Sequence, residues 1–149
     1  MPSAPLPSAP SPAAPVSVLI VTVDGQATPA TWAPSAADGL LVPLQQAVGG
    51  DVDVVQLHPL MSMWVHGEGL FSLPFNPLAS LVAAGMGFKA QPYCGTAVFT
   101  GGVDEDGADL TLSRKLVGAI VEMGQELRAA PEMLAGYVRA AEPFLAHYR

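Results

Sequence analysis

Glycine and proline punctuate this chain so often, 15 of each in 149 residues, that its regular elements must be short and frequently interrupted. Proline lacks a backbone donor and glycine lacks a side chain to restrain it, so neither sits well inside a helix or a central strand. Half of the residues are apolar and only 13% are charged. That balance favours folding, because the apolar surface available for burial offsets the entropy of ordering. At this length one domain with its own core is expected.

The punctuation also divides the chain. Residues 1–15, MPSAPLPSAPSPAAP, carry six prolines and read as a disordered, solvated Pro/Ala/Ser-rich tail, a spacer rather than a docking ligand. Val16–Val23 is rich in β-branched residues and closes on Asp24-Gly25, the signature of a strand, here a central one, running into a turn. Gln26–Trp32 returns as an edge strand, since Pro29 cannot donate to a ladder on both sides. Leu40, Leu41, Leu44 and Val48 fall at helical spacing before Gly49-Gly50; Ser35 is the candidate N-cap, and Pro43 fits only in the first turn of a helix that starts late. Asp51–Leu57 and Met61–His66 form a strand pair across His58-Pro59, ended by Gly67-Glu68-Gly69.

Asn76 is placed to cap a short helix, Leu78–Ala84, with Pro77 at its first position. Gly95–Thr100 reads as a short strand and Val103–Asp109 as an acidic turn. Leu112, Leu116, Ile120, Met123 and Leu127 then share one helix face, and Pro131-Glu132 opens a second helix that Pro143 should bend or fray. The expected architecture is α+β: a small mixed or mostly antiparallel sheet of about four to six strands with helices on one face. Residues 16–110 form the domain, and 111–149 a helical extension packed on it.

Charge narrows the partners. The chain has a formal charge of −7, and residues 1–88 hold five acids and no Lys or Arg. The bases are Lys89, Arg114, Lys115, Arg128, Arg139 and Arg149, mixed with glutamates. Nucleic-acid binding depends on lysine and arginine neutralising phosphates, so it is disfavoured; its one route would be bases of the last two helices sharing a face. The apolar runs Val16–Val23 and Leu78–Phe88 fall short of the ~20 residues a membrane helix needs, and the start of the chain lacks the basic region of a signal peptide. A single cysteine, Cys94, excludes an internal disulfide and fits a reducing compartment. A cytoplasmic setting follows as the expectation, with no membrane partner.

Several segments together carry a family resemblance. Val18-Leu-Ile-Val, Leu44-Gln-Gln-Ala-Val-Gly-Gly50, Val52-Asp-Val-Val55, Val65-His-Gly-Glu-Gly69, Leu73-Pro-Phe-Asn-Pro-Leu-Ala79 and Gly95-Thr-Ala-Val98 succeed one another in this order. In order and spacing, over roughly residues 16–121, the chain resembles the family called domain of unknown function 3846. His66 stands where that family commonly has Asn, and residues 122–149 run past its usual end. The resemblance implies an accessory setting in bacteria, phages and plasmids, and supplies no activity.

The candidate sites are few. His66 and Glu68 lie in a hairpin shortly before Asn76, and imidazole, carboxylate and amide could converge there as an acid–base or ligand-polarising group. Each also has a plain structural role: the flanking glycines permit a turn, Glu68 is solvated, and Asn76 caps a helix. His58, His66 and His147 lack metal-ligand spacing, and no cofactor is implied. Cys94 has only Lys89 nearby as a base and reads as a buried small side chain. Asp104-Glu-Asp-Gly107 begins like a calcium loop but places Lys115 where the bidentate Glu belongs. Phosphate-loop and nucleophile-elbow patterns are missing. Met61, Met63, Trp64, Phe71 and Phe75 are expected to crowd one region, mostly as core. The reading is a small non-enzymatic accessory or regulatory protein acting on a protein partner or as a homo-oligomer. The alternative is a small-molecule-binding domain or enzyme at His66, Glu68 and Asn76.

Overall fold

A computed structural model describes residues 14–88 and 91–149. Residues 1–13 of the expected tail, and Lys89, lie outside the described residues. Two hairpins frame the fold: β1 (Val16–Val21) with β2 (Ala27–Trp32), and β3 (Val52–His58) with β4 (Met61–His66). The short β5 (Ala97–Thr100) inserts between them, pairing with β1 on one side and β4 on the other. The result is a five-stranded sheet in the order β2-β1-β5-β4-β3, antiparallel at every pairing. The α+β class and the antiparallel sheet are as expected, and Pro29 lies on the edge strand β2, opposite Leu19.

The helices are not confined to one face. Val16–Val21 is apolar at nearly every position, so β1 presents burial surface on both sides and both must be covered. On one side α1 (Leu41–Val48) sets Leu44 and Val48 against Val16, Val18 and Val98. On the other, α3 (Pro77–Gly85) and α4 (Arg114–Ala129) pack Leu78, Val82, Ile120 and Leu127 onto Leu19, Val21, Met63 and Phe99. The alternation along β4 also divides the expected aromatic and methionine group: Met61, Met63 and Val65 join the α3–α4 side, while Trp64 joins the α1 side and donates its indole N–H to Thr100 Oγ1 at 3.0 Å. Phe71, in the single turn α2 (Gly69–Ser72), is 58% exposed.

Local chemistry explains most boundaries. α1 starts late, with Pro43 in its first turn, and ends on Gly49 at φ +84°. Ser35 does not cap it: its hydroxyl accepts the Asp38 N–H at 2.9 Å in a separate turn, and Leu40 occupies the cap without a side-chain bond. α4 is capped by Ser113, whose Oγ accepts the Leu116 N–H at 3.2 Å. α4 meets the β1–β2 turn at two glycines. Gly25 adopts φ +87°, and a Cβ at Gly124 would lie 2.4 Å from the Gly25 carbonyl oxygen. α5 (Pro131–Ala146) continues through Pro143 and rests on the domain by Leu134, Ala141 and Leu145. Among the described residues no helix is long and apolar enough to cross a membrane.

Candidate functional site

Asn76 sits where β1, α3 and the approach to β5 meet, and it is fully buried. As the sequence indicated, its Oδ1 caps α3, accepting the Ala79 N–H at 3.0 Å. Its Nδ2 also donates to the Val21 carbonyl at 3.1 Å and to the Gly95 carbonyl at 2.8 Å, partners 55 and 19 positions away. Its backbone N–H donates to the Tyr93 carbonyl at 2.8 Å. Both amide protons are therefore held by the protein's own backbone.

His66 ends β4 half-buried, and its Nδ1 accepts the Glu68 N–H at 3.0 Å, which organises the turn into α2. The other ring nitrogen lies over Gly50: a Cβ there would stand 2.5 Å from Nε2. His66 lines a small cleft of about 140 Å³ with Asp53, Tyr93 and Cys94, and neither Glu68 nor Asn76 lines that cleft. The hairpin thus brings His66 and Glu68 together through the backbone, and directs Asn76 into the core.

Cys94 is a buried free thiol, and burial pushes its pKa up despite the Arg149 guanidinium 3.8 Å from its sulfur. That base, 55 positions along the chain, was not legible locally. The same guanidinium donates to the carbonyls of Leu70 and Leu73, tying the end of α5 to α2. In the acidic turn, Asp104 Oδ1 accepts the N–H groups of Asp106 and Ala108, each at 2.9 Å. Among the described residues no three of His, Cys, Asp and Glu are grouped as metal ligands. The aliphatic stem of Arg128 lies against Gly25, and Arg149 is held against Leu70.

Exposed apolar side chains occur on several elements, and α5 carries a run of them. Met133, Tyr137, Ala140 and Phe144 recur at three- and four-residue intervals and form one stripe along the helix, with Phe144 60% exposed, and Tyr148 follows just past the end of α5. Tyr148 meets Phe71 edge to face at 6.3 Å between ring centroids, which carries the stripe onto α2. Along its flank Tyr137 and Phe144 line an apolar groove of about 220 Å³ whose other wall includes Phe75, Phe88 and Pro92. The sequence signal was available: α5 has apolar residues on a wider arc than one neighbour can cover, and Leu134, Ala141 and Leu145 already supply its packed face.

One family model, described as Domain of unknown function (DUF3846), matches residues 16–125. The chain belongs to this family. No curated protein and no solved structure matches the chain. The DUF3846 match covers the sheet, α1 to α3 and most of α4, and stops before α5. Asn76, His66 and Glu68 thus fall inside the DUF3846 region, and the α5 stripe outside it.

Proposed function

We propose that this DUF3846 chain is a non-enzymatic accessory or regulatory protein that acts by protein–protein contact, with the exposed apolar stripe of α5 as its contact surface. One observation carries the reading: large apolar side chains, aromatic for the most part, stand exposed in a continuous stripe beside the face by which the helix is already anchored. The largest contiguous apolar patch of a protein surface is often a functional one, and aromatic residues are enriched in the cores of protein interfaces. The low charge of the chain and the accessory setting implied by its family agree with it. The reading places the protein in the cytoplasm, a reducing compartment in which the buried thiol of Cys94 stays free.

A small-molecule or enzymatic role at His66, Glu68 and Asn76 has weaker support, since the Asn76 amide protons are engaged by backbone and the His66 cleft is small. Native mass spectrometry on protein purified gently from its own host tests the two readings. A mass increased by whole polypeptide chains, and lost in Phe144→Glu, is the expected result. A bare monomer, or a small-molecule increment unaffected by Phe144→Glu, would overturn it.

A further inference from the structure

We infer that the occupant of the α5 face is a second copy of this chain, its α5 antiparallel to the first about a two-fold axis at Ala140. This rests on the contact reading above and deepens it.

Area supports a copy. Met133, Tyr137, Phe144, Tyr148, Phe71 and Phe88 are each between about a third and two-thirds exposed. Taking ~200 Å² for a large side chain, the surface they offer is on the order of 600 Å². Two such faces together reach roughly 1,200 Å², the lower bound of stable protein interfaces.

The order of sizes along the stripe supports two-fold pairing. Its smallest member, Ala140, is central and large residues lie on either side. An antiparallel copy crossing at Ala140 lets the helix backbones approach closely and sets Tyr137 of each chain opposite Phe144 of the other, with Met133 opposite Tyr148. A closed isologous contact requires that self-complementarity. Charge points the same way. At 100° per residue, Glu132, Arg139 and Glu142 project from the side of α5 away from the stripe. Two chains that each carry −7 can therefore meet across this face without bringing carboxylates together.

Sedimentation equilibrium on the purified full-length chain, from about 1 to 100 µM, measures the mass directly. The expected result is a dimer of twice 15.3 kDa. Phe144→Glu, present twice per dimer, should weaken association at least about a hundredfold, whereas Glu142→Lys on the opposite side leaves it unchanged. Both positions are exposed, and far-UV circular dichroism confirms that each variant folds. Ala140→Cys adds a geometric test: lying near the axis, it should form an interchain disulfide under mild oxidant, while Glu142→Cys should not. The native Cys94 thiol is buried and does not compete. A monomer at every concentration, or a dimer indifferent to Phe144→Glu, overturns the self-pairing. If the purified chain is monomeric while the native complex from the host holds a different polypeptide that Phe144→Glu releases, self-pairing fails and the contact reading stands. If neither assembly appears, both fail.

Discussion

Replacing Asn76 by Ala should remove a large share of the stability of this domain. A helix cap alone is worth about 1 kcal/mol. Asn76 does more: at full burial it satisfies the Ala79 N–H and the carbonyls of Val21 and Gly95. Truncation leaves the buried Ala79 N–H without its acceptor and takes the Nδ2 donor from both carbonyls, and an unsatisfied buried polar group costs roughly 1–3 kcal/mol. With partial relaxation, the expected loss is about 3–5 kcal/mol, against a total of about 5–15 kcal/mol for an ordinary domain. Asn76→Ser restores an acceptor at the cap and should recover about 1 kcal/mol of this, but cannot reach Val21 and Gly95. Urea denaturation followed by far-UV circular dichroism, with an unchanged denaturant slope, measures both. A loss of only about 1 kcal/mol for Asn76→Ala, or Asn76→Ser as stable as the parent, would refute the clamp and leave a simple cap. A variant that kept its stability and lost binding of a small molecule would instead favour a ligand site.

Other positions give sharper contrasts. Gly124→Ala forces a Cβ into the Gly25 carbonyl and should cost about 1–3 kcal/mol by thermal denaturation, whereas Gly118→Ala, on an open face of the same helix, should stabilise by up to about 1 kcal/mol. Equal effects at the two glycines would refute the close helix–turn contact. Asp109 has its pKa raised by burial, so its ionised form is held at a cost that is absent below the unfolded pKa and grows as pH rises through the folded one. Asp109→Asn should therefore stabilise the protein at neutral pH and lose that advantage in acid; an advantage constant with pH would contradict the burial argument. Asp24 shows the opposite sign. Its carboxyl lies below the usual range through the Thr22 hydroxyl and the Gln26 N–H, so its contribution is present above the unfolded pKa and fades as pH falls through the folded one. Asp24→Ala should therefore lower stability at neutral pH and approach the parent in acid.

The local elements were legible because single side chains mark them. Asp24-Gly25, Pro43, Asn76-Pro77 and Pro131 each carry a backbone preference that holds wherever the chain goes. Strand order was not legible, because β5 reaches β1 and β4 by pairings between distant segments. The helices proved to lie on both faces, although the nearly continuous apolar run of β1 already implied two-sided burial. Ser35 illustrates the limit of cap reading: the residue type fits a cap, yet the bond closes a neighbouring turn. At the candidate site, His66 and Glu68 were legible as a turn, while the long-range bonds of Asn76 and the approach of Arg149 to Cys94 required the tertiary structure.

The most direct test of the contact surface is hydroxyl-radical footprinting of the protein inside its host cells, compared with the purified chain at high dilution. Tyr137, Phe144 and Tyr148 should be protected in the cell and oxidised when dilute, while Val54 and Leu60, exposed elsewhere, react alike in both. Equal oxidation of the three aromatic residues in the two samples would contradict the assignment of α5 as the surface through which this protein acts.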